Sequence, residues 1–388
     1  MAGQLIQVAT NTVTTPVSSV TLTGIDSDDV YMVSYNNVTP TTNGDRVDFR
    51  VTVSGTADTT ANYDFAEKFL SVGGGFFNGY NTNVTSYLMA AQQVATGISN
   101  NGIMHLFNFN NASEYSFLTN ENAFFWTGTL ALLGQQGGLV HTVAQSCDGV
   151  HFFATGSSNI ESGTFTLFKC LWGITMADDL KYGYKGAEPT QSFGNNTGVF
   201  DPNDINNLIA DNKWTQFGQL ELIHTENASA VSYVDFLESA GTFDTSYNVH
   251  FMTLNITDLS SSAYLGTRFY ESGVLESASV YQEAYFTINS AGSTSEIIST
   301  ARDRIIITQS NQSGTAPNLY IYFYNLGDSA KYSFVTSHSN GEKFPDSSYN
   351  TYFGSGVLPQ TSTVDGIRIF PEAGNITGTL SLYGIAES

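Results

Sequence analysis

Six histidines, two cysteines and thirty-five carboxylates are the side chains of this 388-residue sequence with the chemistry for catalysis or metal binding. His105, His141, His151, His224, His250 and His338 stand far apart along the chain. Any metal site or acid–base pair among them has to be assembled by folding, and each alone reads as a strand or loop residue. The densest group of hard oxygen ligands is Asp26-Ser27-Asp28-Asp29. Closely spaced carboxylates on a loop suit calcium, but the glycine and the distant glutamate of an EF-hand loop are missing here. A solvated turn is the expected role for Asp26, Asp28 and Asp29. A glycosidase needs two carboxylates about 5 to 9 Å apart across a sugar, and nothing in the sequence singles out such a pair. Nucleophile elbow, zincin, phosphate-loop and dinucleotide motifs are all lacking. The expectation is therefore a protein that is not an enzyme, with no catalytic, cofactor-binding or metal residues and no cofactor.

Cys147 and Cys170 have neither CxxC spacing nor a neighbouring histidine, so they read as small buried hydrophobes, with their pairing left open. Trp126, Trp172, Trp214 and the many tyrosines could stack on sugars, although half-buried strand aromatics are the usual case. Asp and Glu outnumber Lys and Arg by 35 to 13, for a formal charge of −22. That balance argues against nucleic acid and anionic membranes, whose phosphates are bound by basic side chains. The N-terminal residues lack a basic segment followed by an apolar one, and no apolar run reaches membrane-spanning length. The chain is expected to be made in the cytoplasm without membrane insertion.

The elements that must position these residues occur twice. GQLIQV at Gly3 is matched by GQLELI at Gly218, and VYMVSYNNVT at Val30 by VHFMTLNIT at Val249. MHLFNFNNASEYSFLT at Met104 is matched by IYFYNLGDSAKYSFVT at Ile321, DGVHFF at Asp148 by DGIRIF at Asp365, and GTFTLF at Gly163 by GTLSLY at Gly378. Five pairs in one order at a near-constant displacement are the trace of a duplicated domain; solenoid repeats are far shorter, about 20 to 50 residues. The reading is one module over residues 1–176, a linker over 177–217 and a second module over 218–388.

Within the modules, VDFRVTV at Val47 alternates in polarity, while YIYFY at Tyr320 and RIIIT at Arg304 are short aromatic or β-branched runs. NGD at Asn43, GGG at Gly73, SNNG at Ser99 and GQQGG at Gly134 read as turns between strands. The fold class is all-β: two tandem related antiparallel β-sandwich or jelly-roll modules. Asp148-Gly149 and Asp365-Gly366 should each launch the first strand of a terminal hairpin. Its second strand should turn Phe165 and Leu167, or Leu380 and Leu382, to the core, and Phe168 or Tyr383 to the opposite face. The linker should be partly helical, with Asp201 as N-cap, Pro202 in the first turn, and Ile205, Leu208 and Ile209 on one face.

The module ends, NIESGTFTLFKCLWGI from Asn159 and NITGTLSLYGI from Asn375, resemble a Gly-Thr-x-x-Leu-Tyr-Gly-Ile closing motif. That motif is found on β-sandwich modules in virion proteins of tailed bacteriophages, particularly marine and cyanophage types. The first copy departs from it: Phe168 replaces the tyrosine, and Lys169 to Trp172 intervene before Gly173. The resemblance implies a non-enzymatic surface structural protein located in the virion: a tail, fibre or collar appendage, or a capsid decoration. It also implies assembly as a homo-oligomer, expected to be a trimer, with other virion proteins and a host surface glycan as partners. The alternatives are a double jelly-roll capsid subunit, a carbohydrate-binding protein and a polysaccharide depolymerase.

Overall fold

A computed structural model describes residues 4–73, 75–88, 99–126, 131–156, 158–171, 191–192, 195–196, 220–237, 243, 247–309, 311–314, 317–342 and 348–385. The first set of strands is β1 (Gln4–Val13), β2 (Ser19–Thr23), β3 (Val30–Pro40), β4 (Val47–Val53), β5 (Thr56–Ala57), β6 (Tyr63–Ser71), β7 (Gly75–Val84), β8 (Tyr87–Leu88), β9 (Asn100–Phe107), β10 (Ser116–Trp126), β11 (Ala131–His141), β12 (Gly149–Ala154) and β13 (Ile160–Leu171). A short antiparallel pair, β14 (Gln191–Ser192) and β15 (Asn195–Asn196), follows. The second set is β16 (Leu220–Val231), β17 (Val234–Leu237), β18 (Val249–Leu259), β19 (Leu265–Glu271), β20 (Val274–Leu275), β21 (Tyr281–Asn289), β22 (Thr294–Arg302), β23 (Ile305–Ile306), β24 (Asn318–Tyr324), β25 (Ser333–Glu342), β26 (Tyr349–Leu358), β27 (Val364–Pro371) and β28 (Ile376–Ile385). The linker helix expected around Asp201 and Pro202 lies outside the described residues, as do Trp172 and Trp214.

Each set builds an eight-stranded sheet and a five-stranded sheet. The large sheets run β1-β13-β3-β9-β10-β11-β6-β7 and β16-β28-β18-β24-β25-β26-β21-β22; the small ones run β2-β12-β4-β5 and β17-β27-β19-β20, with β8 on β4 and β23 on β19. The two orders are the same, strand for strand, and all five sequence matches fall on equivalent strands. The likeness extends to single hydrogen bonds. Tyr63 Oη accepts from Val51 N and donates to Asp58 O, and Tyr281 Oη accepts from Phe269 N and donates to Glu276 O. Gly55 N and Gly273 N each donate to the carboxylate of Asp148 or Asp365 at 2.7 Å. Both glycines have a φ of 73°, a left-handed conformation that L side chains resist.

Each module has its own apolar core between its large and small sheets. Phe165, Leu167, Val33 and Tyr35 meet Phe49, Val51, Val150 and Phe152 in the first, and Leu380, Leu382, Leu254 and Ile256 meet Phe269, Ile367 and Ile369 in the second. A third cluster joins residues of both sets: Met32, Ile103, Phe125, Phe168 and Cys170 with Tyr322, Tyr324, Phe334, Val357 and Ile385. The large sheets are therefore packed against each other, and their central strands are buried on both faces. This explains why VYMVSY and YIYFY show no alternation: a strand covered on both sides is apolar on both sides. Phe165 and Leu167 face the core and Phe168 the other face, as their spacing in sequence implies.

Four expectations are corrected. β12 and β13 do not form a hairpin, nor do β27 and β28: β12 lies between β2 and β4 in the small sheet, and β13 between β1 and β3 in the large one. The short connection crosses from one layer to the other because both edges of each strand are already paired. SNNG at Ser99 is no turn either, since Asn100 to Gly102 belong to β9 and are buried. GQQGG at Gly134 lies in the middle of β11. Its glycines answer close approach: a Cβ on Gly134 would collide with Ser355 Oγ of the second module. Of RIIIT, only Ile305 and Ile306 form a strand.

Candidate functional site

The face between the two large sheets holds an unusual concentration of polar and titratable groups. Cross-strand pairing in the first module lines up Ile103, Glu121, Gln136 and Lys68 across β9, β10, β11 and β6. In the second, the equivalent strands line up Tyr320, His338, Phe353 and Phe286 across β24, β25, β26 and β21. Each member of one row is the duplication counterpart of the corresponding member of the other. The rows lie against each other, as do the strands that carry them: β10 contacts β25, β11 contacts β26 and β6 contacts β21. Contacts between counterparts are the intramolecular equivalent of a twofold, isologous interface.

Several direct bonds cross this face. Lys68 Nζ lies 2.7 Å from Glu296 Oε1 and 5.2 Å from the centre of the Phe286 ring. Leu132 N donates to Gln282 Oε1 at 3.3 Å. His338 Nε2 donates to Gln136 Oε1 at 2.9 Å, which leaves Nδ1 to accept from the Tyr320 hydroxyl at 2.5 Å. Between the rows is a cavity of about 360 Å³ whose lining includes Lys68, His105, Glu121, Gln136, Tyr320 and His338. Ile103, Leu70, Phe286 and Phe353 supply apolar wall.

Burial sets the charge state of this cavity. Glu121, with 7% of its side chain exposed, has its carboxyl pushed up to about 8 by desolvation. Desolvation drives His105 and His338 down to about 4. Near neutral pH the approach of His338 Nε2 to Glu121 Oε2, 3.7 Å, therefore joins two largely uncharged groups. Glu121 Oε2 and Gln136 Nε2 are buried without hydrogen-bond partners. Such orphaned groups are uncommon in folded proteins and cost about 1–3 kcal/mol each.

Folding brings His105 and His338 into one cavity and leaves the other histidines in local contacts. His141 Nε2 lies 2.9 Å from Asp58 Oδ2, His151 Nδ1 2.8 Å from Thr21 Oγ1, and His224 Nε2 2.8 Å from Glu226 Oε1; the ring of His250 stacks on Phe243. The Asp26 to Asp29 turn is held by the chain itself. Lys169 Nζ sits 3.3 Å from Asp26 and 3.1 Å from Asp29, Ser27 Oγ donates to Asp29, and Asn111 Nδ2 donates to Asp28. Tyr31 Oη donates to Asp26 and, with Lys169, holds that carboxyl below its ordinary range. Cys147 and Cys170 are buried and free, one in the first core and one on the docked face. Trp126 packs beside Phe69, Phe124 and Leu133. Among the described residues, no group of three or more His, Cys, Asp or Glu is placed to hold a metal, and no helix is long and apolar enough to cross a membrane.

Sequence reasoning missed Glu121, Gln136, Lys68 and Tyr320 as site residues. One signal was present: with Tyr115-Ser116-Phe117 set over Tyr332-Ser333-Phe334, Glu121 falls on His338, a titratable residue replaced by another of different charge.

No protein-family model matches the chain, and no curated protein does. Among solved structures, domains LG4-5 of the mouse laminin alpha1 chain align at 9% identity over 99% of this chain and 92% of that one, with a TM-score of 0.20. The PBSX exported protein XepA aligns at 9% identity over 99% and 86%, with a TM-score of 0.11. Transferrin Binding Protein B from Haemophilus parasuis aligns at 8% identity over 91% and 78%, with a TM-score of 0.10. Likenesses of this size carry no functional argument.

Proposed function

We propose that the chain is a non-enzymatic structural protein of a tailed-bacteriophage virion, displayed on the particle as an appendage or capsid decoration. The observation that carries this reading is the third apolar cluster, which joins the two large sheets. Two sandwiches that bury the central strands of their large sheets against each other act as one block, a form suited to bearing load and to presenting surfaces. The module-end resemblance and the net charge of −22 fit a surface component whose copies repel except where they interlock.

The sheet ends supply a means of interlocking. β7 closes one side of the first large sheet; it spans ten residues with no charge and no proline, and its Tyr80 is 78% exposed. A long uncharged edge strand offers unpaired backbone groups to a neighbouring chain. Sizing of the purified protein by light scattering, together with mass spectrometry of purified particles, tests the proposal. A discrete homo-oligomer recovered as a stoichiometric particle component is expected. A protein absent from washed particles overturns the reading.

A further inference from the structure

We propose that the cavity between the two large sheets is a binding site for a small organic cation, an ammonium group on a compact apolar body. Glu121 is its counter-ion, and Tyr320 and Phe353 are its aromatic wall, the Phe286 ring being already met by Lys68 Nζ. The cavity, about 360 Å³, is within the range of small-molecule pockets. Lys68 and His338, each with 28% of the side chain exposed, mark where solvent reaches it.

The choice of ligand class follows from which groups are already committed. Both ring nitrogens of His338, the Tyr320 hydroxyl and Gln136 Oε1 are bonded to one another. Glu121 Oε2, 3.7 Å from His338 Nε2, and Gln136 Nε2 remain without hydrogen-bond partners. Together with Nδ2 of Asn120, another lining residue with an orphaned donor, they are too few for a sugar, whose several hydroxyls each need a partner on burial. An anion is disfavoured because Lys68 is neutralised by Glu296 at 2.7 Å and the chain as a whole carries −22. A cation meets the opposite conditions: an orphaned carboxyl oxygen, rings whose faces attract positive charge, two imidazoles held neutral, and a long-range field that draws it in.

A second consequence concerns protons. The groups around Glu121 are Lys68 with Glu296 on β6 and β22, His105 on β9, Tyr320, Tyr322 and Tyr324 on β24, His338 on β25 and Tyr35 on β3; burial keeps all four tyrosines neutral. Among them only Lys68 is a standing cation, and it is already paired. Burial holds the Glu121 carboxyl protonated up to about 8, so a bound cation must displace that proton. Binding at pH 7 should therefore release about one proton per site.

The test is isothermal titration calorimetry of the full chain at pH 7 with cyclohexylammonium chloride, and with cyclohexanol as a probe of the same shape without charge. Saturable binding by the ammonium at least about tenfold tighter than by the alcohol is expected, with an enthalpy that shifts between phosphate and Tris buffers as proton release requires. Glu121→Gln should weaken it by about tenfold or more. Phe353→Leu, which keeps the carboxyl, should weaken it several-fold and stands in should Glu121→Gln fail to fold. Equal binding of cyclohexanol, undiminished binding in both variants, or no saturation in the millimolar range overturns the proposal.

Discussion

Ile103, Glu121, Gln136 and Lys68 occupy the positions in the first module that Tyr320, His338, Phe353 and Phe286 occupy in the second, yet the two rows share no residue type. The inner cores behave differently: Phe165 and Leu167 are answered by Leu380 and Leu382, apolar for apolar. The reason lies in what each surface faces. A module core packs against its own small sheet, so both copies solve the same problem and keep the same class of side chain. The docked faces pack against each other around a pseudo-twofold arrangement, which sets each residue near its own counterpart. With identical copies, Glu121 would approach a second glutamate and Lys68 a second lysine, and like charges in a partly buried interface repel strongly. Divergence replaces those encounters with Glu121 beside His338 at 3.7 Å and Lys68 over the Phe286 ring at 5.2 Å.

The comparison is tested most severely at Phe125, whose ring lies 5.3 Å from Tyr332 and 6.1 Å from Phe334 across the docked face. Phe125→Ala should cost about 3–5 kcal/mol and split a single denaturant transition, followed by tryptophan fluorescence and circular dichroism, into two. A loss of that size with one transition retained would mean that the modules unfold together for reasons other than this contact.

Next in size is a pH effect specific to the interface. Glu121 has a folded-state value of about 8 against an ordinary 4.5. Its contribution is fully present below about 4.5 and is lost as pH rises through 8. His105 and His338, lowered to about 4 from 6.5, act in the opposite sense, costing stability only as pH falls below 6.5. Between pH 6.5 and 8 the histidine contribution fades and the carboxyls dominate. Glu121→Gln should reduce the decline in melting temperature across that window. It should not abolish it, because Glu67 and Glu283, raised to about 7 inside their own modules, still titrate. A decline unchanged in the variant would place the effect within the modules.

The smallest effect sharpens the steric side. Gly134→Ala pushes a Cβ into Ser355 and should cost about 1–3 kcal/mol by overpacking. Adding Ser355→Gly should recover part of the loss in the same chemical-denaturation measurement. Failure to recover would show that Gly134 serves β11 itself and not the approach of the second module.

Much of the fold was legible because its signals are local or repeated. Five paired segments gave the duplication, and the spacing of Phe165, Leu167 and Phe168 gave the two faces of β13. The site was not legible, and GQQGG shows why. Glycines flanking two amides look like a turn, whereas in β11 Gln135 and Gln136 project to opposite faces and Gly134 makes room for a residue more than two hundred positions away. A glycine chosen for a close neighbour and one chosen for a bend are the same letter. The hairpin expected at each module end failed for a related reason: adjacency in sequence does not say whether the next strand joins the same layer.

Taken alone, the amino-acid order determined that this is a duplicated, strand-built, acidic protein, since composition, period and internal likeness are written along the chain. Only the tertiary structure decided that the copies bury their large sheets against each other and enclose Glu121, His105 and His338 in one cavity. Packing of one surface on another depends on shapes that neither copy carries by itself.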